Sequence, residues 1–211
     1  MTQTATVDVR VQRRKLYINI SRRKLRAGQG SSPAFLAQRT TDMIWTDLTA
    51  ILTPIHYAVV GGVATRLYMP ERFTKDMDVI VATSNAVPVR AKLTQAGFQY
   101  QADLALVRGS TWLAPNGQEI DVLEGEEVWW SEALAEAQTN LDGQGLPVVP
   151  LRYLVLMKYQ SGRAQDLADI ERMLGQSNDS QLTAIRALFQ KQLPNDVEDL
   201  ESLIELGKLS S

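Results

Sequence analysis

The stretch Tyr57–Val81, YAVVGGVATRLYMPERFTKDMDVIV, decides how the chain is read. An apolar run, HYAVV, reads as a short buried strand that stops at Gly61-Gly62. The glycines turn the chain into VATRLYM, a short helix. A second apolar run, MDVIVA, reads as another strand and opens with Asp76 and Asp78. Residues i and i+2 of a strand share a face, so these two carboxylates project together while Met77 and Val79 face the other way. Two acids so close repel one another unless a cation lies between them. Hard oxygen ligands of this kind suit Mg²⁺ or Mn²⁺, bound together with substrate phosphates.

A third acid stands in a similar setting. Asp121 lies inside the apolar run EIDVL, on a strand able to pair alongside the first. An acid embedded in such a run is costly unless it is paired or ligates metal. Three acids holding two metal ions would form the clamp used in phosphoryl-type transfer. Gly61 and Gly62 follow a strand and open a helix, so their amides are placed to receive a phosphate. Asp76 lies 14 residues beyond Gly62, room for one short helix and a return strand. A D-x-D pair is common on exposed strand ends, and a glycine turn can serve the backbone alone. The two together, in this order, point to one phosphate- and metal-binding pocket.

The remainder of the chain reads outward from this segment. Leu36, Met43, Ile44, Leu48 and Ile51 recur at helical spacing between Phe35 and Leu52. Ser84 is placed to cap a helix through Val89, Leu93 and Ala96 that Gly97 closes. LALVRGSTWLA and QEIDVLE read as strands joined by Pro115-Asn116-Gly117, a hairpin signal. EEVWWSEALAEAQ is a helical or irregular connection, and LPVVP a short extended piece. LRYLVLMKYQ and AQDLADIERML form a helix pair broken at Ser161-Gly162, and Leu182–Leu206 gives helices interrupted at Pro194-Asn195. The fold class expected is α+β, a mixed sheet with flanking helices followed by a helical C-terminal part. The expected divisions are a basic, disordered extension over 1–40, an α/β core over 41–128 and a helical region over 129–211.

Charge separates the first of these from the rest. Of 22 Lys and Arg, nine lie in residues 1–40, leaving 13; of 24 acids only Asp8 lies there, leaving 23. The net charge of −2 therefore hides a basic arm on an acidic body. Such an arm is either a nucleic-acid-binding tail or an unstructured extension. The chain has no cysteine, which removes thiolate metal sites and a Cys nucleophile and fits a reducing cytoplasm. No apolar stretch approaches the ~20 residues that span a bilayer, so no membrane partner is expected. His56 is the single histidine, which leaves neither a His-rich zinc site nor a Ser-His-Asp triad. Trp129-Trp130 offers base stacking or core packing.

The segment VVGGVAT…ERFTKDMDVIV resembles the hydrophobic-G-G-x-A and R-x-T-x-D-x-D signature of the DNA polymerase β-like nucleotidyltransferases. It is similar in particular to the AbiEii-type enzymes of bacterial toxin–antitoxin and phage-defence systems. Arg72, Thr74, Asp76 and Asp78 fall on that motif in order, and Asp121 in QEIDVLEG matches the third metal-side acid. PLRYLVLMKYQSGRAQDLADIERML looks like the family's helical K…R-x-[KD]-D-x-x-D-[IL] motif. The resemblance runs from about Trp45 to Leu174. It implies a transferase that moves a nucleoside monophosphate from an NTP to an acceptor hydroxyl. Arg72 and Thr74 would bind the nucleotide, Lys158 would contact its phosphates, and Asp166 would sit near the pocket. The acceptor implied is RNA, notably tRNA, or a protein side chain, with an antitoxin as partner. Gln165 and Val63 depart from the pattern, the first where a basic residue is frequent and the second where serine often follows the glycines. Two rival readings are a nucleotidyltransferase acting on an antibiotic-like small molecule and a non-catalytic nucleotide- or RNA-binding module. Arg163, Asp166 and Asp169 read equally well as a structural salt-bridge set at a helix start.

Overall fold

The computed structural model describes residues 11–12, 14–18, 44–70 and 74–210. They fall into two units, Ser32–Pro150 and a second that joins Leu151–Ser211 to Met1–Ser31. The first unit carries a five-stranded sheet in the order β1-β2-β5-β4-β3. After a four-residue helix α1 (Thr49–Leu52) come β1 (Ala58–Val60), α2 (Gly61–Ala64), β2 (Asp76–Ala82), α3 (Ala86–Gln95), β3 (Gln99–Asp103), β4 (Gly109–Leu113), β5 (Glu119–Gly125) and α4 (Val128–Ala137). β2 and β5 run parallel, while β1–β2, β4–β5 and β3–β4 are antiparallel, so the sheet is mixed.

The centre of the sheet follows from the apolar runs. Met77, Val79, Ile80 and Val81 of β2 are fully buried, as are Ala58 and Val59 of β1 and Ile120 of β5. β2 starts with the in–out alternation of a half-covered strand, then becomes apolar on both faces from Val79, as a covered strand must. The cover comes in part from α4. Trp130 donates its indole N–H to the Val81 carbonyl at 2.9 Å, and its ring lies on Gly125, where a Cβ would collide with it. Trp129 and Trp130 are thus packing residues of this unit. The core therefore continues past residue 128 to Pro150, because the sheet needs that helix to bury its face. The segment around Val148 also belongs here, bridging to Val59.

Two strand expectations shift. The run expected as one strand over 104–114 is paired only from Gly109 to Leu113. The preceding residues 104–108 form the loop of a hairpin whose other arm is β3, Gln99–Asp103. All five β3 residues are exposed on the edge of the sheet, so the strand carries no hydrophobic pattern to betray it. The turn at Pro115-Asn116-Gly117 joins β4 to β5, with Ala114 and Gln118 closing it by a backbone bond of 2.8 Å. The helix expected from Phe35 to Leu52 reduces, in the described residues from 44 on, to the single turn of α1. Ser84 lies in a 3₁₀ turn, and Asn85 rather than Ser84 immediately precedes α3.

The second unit is helical: α5 (Leu151–Ser161), α6 (Ala164–Gly175), α7 (Asp179–Gln192) and α8 (Val197–Ser210). The break between α5 and α6 falls at Gly162, and that between α7 and α8 at the Pro194–Asp196 turn, both where the sequence places them. α7 begins with a reciprocal capping box between Asn178 and Gln181. Leu167, Ile170, Met173 and Leu174 of α6, Leu182, Ile185 and Phe189 of α7, and Leu200 and Leu203 of α8 are buried at helical spacing.

Part of the basic extension joins this unit. Residues 11, 12 and 14–18 are helical. Arg14 is buried, donates to the Tyr159 carbonyl at 3.1 Å and stacks its guanidinium 4.3 Å from the Tyr159 ring centre. Tyr17 donates to Glu171 at 3.1 Å. The expectation of a wholly disordered extension is corrected for these residues, and an aromatic–cation anchor is the reason. The remainder of the arm lies outside the described residues. No helix among the described residues is long and apolar enough to cross a membrane.

Candidate active site

The three acids singled out in the sequence meet on one face of the sheet. Asp78 on β2 is the direct partner of Asp121 on the parallel neighbour β5, and Asp76 is two residues before Asp78. Cross-strand partners share a face, as do i and i+2, so the topology alone puts all three side chains on the same side. One carboxylate oxygen from each lies within 4.8 Å of the others, and all three residues are half-buried. Full charges at that spacing repel by on the order of 3 kcal/mol per pair at an effective dielectric of 20, less what the open side screens. Such an arrangement fits a hard divalent cation, whose ligand set is carboxylate oxygen.

Each acid has a local anchor. Thr74 donates its hydroxyl to Asp76 Oδ1 at 3.1 Å. Thr111, directly opposite Asp121 on β4, donates to Asp121 Oδ1 at 2.5 Å. Asp78 packs against the glycine turn. In the β1–β2 register Val60 faces Asp78, so Gly61 begins just beyond that carboxylate. Gly61 has a φ of +64°, and a Cβ built on it would overlap the Asp78 carboxylate. Glycine is required there twice over, by the backbone and by the acid. Gly62 is buried and accepts from the Thr65 hydroxyl at 2.7 Å, which ties α2 to the 3₁₀ turn that follows it.

That turn is held from the other side. Arg66 pairs through its side chain with buried Asp142, whose other oxygen accepts from the backbone of Gln144 and Leu146. The glycine turn is thus braced to the 142–146 loop. Neither Thr111 nor the Arg66–Asp142 pair stands out in the sequence. A threonine in a strand is ordinary, and partners 76 residues apart leave no local signal. Position 63, where the resemblance expects serine, is a buried valine at 1% exposure.

Lys158 and Asp166 lie in the helical unit, and the structure brings them to each other. Lys158 is buried and donates to Asp166 at 2.9 Å and to Asp169 at 2.8 Å. Asp166 also accepts from Ser161 at 2.5 Å and from Arg163 at 2.6 Å. Gln165, at the position where a basic residue is frequent, donates to Asp169 at 3.0 Å. Burial alone would raise the Asp166 carboxyl, but Lys158, Arg163 and Ser161 outweigh it and hold it below its ordinary value of 3.8. These residues form a buried salt-bridge set at the start of α6, with Lys158 at its centre. His56 is exposed in the coil before β1. Arg72 lies outside the described residues.

No family model and no curated protein matches the chain. Solved structures give weak likenesses. Over 72% of this chain and 87% of the other, it is similar to ANT(2")-Ia in complex with adenylyl-2"-tobramycin, at 14% identity and a TM-score of 0.40. A Thermotoga maritima protein described as a candidate nucleotidyltransferase aligns over 78% of this chain and 96% of its own, at 11% identity and a TM-score of 0.39. The Cid1 poly(U) polymerase aligns over 79% of this chain at 14% identity and a TM-score of 0.31, and the alignment spans 54% of that enzyme.

Proposed function

We propose that the sheet unit is a metal-dependent nucleotidyltransferase site of the DNA polymerase β-like kind. The observation that carries the reading is the convergence of Asp76, Asp78 and Asp121 to within 4.8 Å, beside a glycine turn that presses on Asp78. Nothing in the packing of a sheet calls for three clustered carboxylates. The Asp76-x-Asp78 pair and Asp121 fit Mg²⁺ or Mn²⁺, which when bound supplies the positive charge that neutralises a triphosphate and the reacting oxygens.

The chain's own residues then divide the work. Asp76 and Asp78 fix the triphosphate end of the site. Gly61 and Gly62 offer backbone amides to phosphate oxygens, at a turn where only glycine leaves room. Asp121 faces the acceptor and helps take the proton of its hydroxyl as that oxygen bonds to the α-phosphorus. The bond from the α-phosphorus to the bridging oxygen breaks, and pyrophosphate leaves. Arg72 and Thr74 border the same acids in sequence, and Thr74 already orients Asp76. The Thr74 contact supports a nucleotide-binding role for this segment, with Arg72 two residues before it in sequence.

The acceptor class follows the resemblance to AbiEii-type enzymes: RNA such as tRNA, or a protein side chain, in a toxin–antitoxin or phage-defence setting within the cytoplasm. The test is incubation of the full chain with Mg²⁺, each α-labelled NTP in turn, and total RNA, purified protein extract or aminoglycosides as separate acceptors. Label joining RNA or protein, with Asp78→Asn inactive, is the expected result. Label joining only the small molecules would transfer the reading to an antibiotic-type enzyme. Nucleotide binding without transfer to any acceptor would leave a binding module.

A further inference from the structure

We infer that Thr111 is a positioning residue for the metal-binding acids, one that holds Asp121 ready with a neutral hydrogen bond. The inference rests on the function proposed above, since it assigns how one acid of that same site is prepared. Thr111 is the direct β4 partner of Asp121, and its hydroxyl donates to Asp121 Oδ1 at 2.5 Å. That length is at the short end for a hydroxyl bound to a charged carboxylate, where such bonds are strongest. The threonine backbone is itself well fixed. Its neighbours Ser110 and Trp112 are buried, and Trp112 donates its indole N–H to the Ser110 hydroxyl at 2.9 Å.

The chemistry explains why a hydroxyl serves here. Asp78 and Asp76 push the Asp121 carboxylate away from the cluster whenever no cation is between them. A donor on the strand behind Asp121 resists that rotation. A lysine or arginine in its place would resist it too, but would cancel the negative charge that attracts the cation. A hydroxyl occupies one lone pair of Oδ1, adds no charge, and leaves the remaining lone pairs of the carboxylate for a cation. Asp76, at the other end of the trio, is held in the same manner by Thr74. Both flanking carboxylates thus carry neutral hydroxyl donors. Partners that orient a metal ligand in this way are worth about 10- to 100-fold in metal affinity.

The experiment titrates Mn²⁺ alone into the full-length protein and follows the free-ion paramagnetic resonance signal. Wild type, Thr111→Val, Thr111→Ser and Asp121→Asn are compared, with melting temperatures in metal-free buffer alongside. The expected result is weaker Mn²⁺ binding by roughly 10-fold or more in Thr111→Val, near wild-type binding in Thr111→Ser, and the largest loss in Asp121→Asn. Equal affinity of wild type and Thr111→Val, with Asp121→Asn impaired, overturns the role of Thr111 and leaves the metal site standing. An equal loss in Thr111→Ser and Thr111→Val assigns the effect to strand packing and overturns it as well. Undiminished binding in Asp121→Asn removes the metal site itself, and the positioning role with it.

Discussion

Gly61 lies against the carboxylate of Asp78 so closely that no side chain can be added between them. The contact links the two halves of the opening sequence segment, the glycine turn and the acid pair, into one structural unit. Gly61→Ala must both adopt a φ of +64° and displace Asp78. The backbone cost alone is about 1 kcal/mol, and the displaced acid adds the functional one. The expected outcome is a folded protein, a few degrees less stable, that has lost Mn²⁺ binding. Unchanged metal affinity in that variant would mean that the turn does not shape the site.

Lys158 and Arg163 meet on one carboxylate, Asp166, from very different surroundings. Lys158 is 4% exposed between two buried aspartates, whereas the Arg163 side chain is 71% exposed. Lys158→Ala removes the buried cation that Asp166 and Asp169 share, leaving Asp166 only Arg163 and Ser161, and breaking such a buried pair costs about 3–5 kcal/mol. Arg163→Ala removes one partner of several and should cost about 1 kcal/mol or less. Urea melts of the two variants check the order. Lys158→Ala melting like wild type would contradict a stabilising role for this buried pairing.

The same network sets an acid-side dependence. Asp166 is held below its ordinary value of 3.8, because Lys158, Arg163 and Ser161 together overcome the opposing effect of burial. A depressed carboxylate contributes stability that is complete above the unfolded-state value and is lost as pH falls through the folded-state one. The stability gap between wild type and Asp166→Asn is therefore constant above about pH 5 and narrows below about pH 4. Denaturant midpoints measured from pH 7 down to pH 3 test it. A gap that widens on acidification would contradict the arrangement.

Arg14 predicts how the chain tolerates truncation. Its guanidinium lies over Tyr159 and within 3.6 Å of Asp196, and the Tyr159 hydroxyl is shared between Asp196 and Asp199 at 3.1 Å each. Removal of residues 1–40 uncovers this cluster, so the truncated chain should melt lower, by an amount that Arg14→Ala largely reproduces. Removal of residues 1–9 keeps the anchor and should leave melting unchanged. Thermal melts of the three proteins decide it, and a fully stable chain lacking residues 1–40 would restore the view of the arm as a separate extension. RNA titrations of the same proteins at low and moderate salt would show whether the remaining basic residues gather polyanions.

The acid trio was legible because strand periodicity acts over a few residues: Asp76 and Asp78 share a face by spacing, and Asp121 sits in the same kind of apolar run, while the fold supplies the β2–β5 pairing that joins them. The helix breaks at Gly162 and Pro194 were legible for the same local reason. β3 was not, since an exposed edge strand has no buried face to impose alternation. Thr111 and the Arg66–Asp142 brace were not, because their meaning lies in partners supplied by the fold. Lys158 stood out in the sequence, but its burial and its pairing with Asp166 and Asp169 did not, because those partners lie on the next helix.

The central claim, that Asp76, Asp78 and Asp121 form one metal–nucleotide site, is tested most directly by thermal melting with and without Mg²⁺ plus a non-hydrolysable NTP. A ligand that binds only the folded state at 100 times its dissociation constant stabilises it by about 2.7 kcal/mol, a shift of several degrees. Wild type should show that shift. Asp76→Asn, Asp78→Asn and Asp121→Asn should not, and Asp76→Asn should melt at or above wild type in metal-free buffer because it relieves repulsion within the trio. Equal ligand-induced shifts in wild type and all three variants would contradict the account.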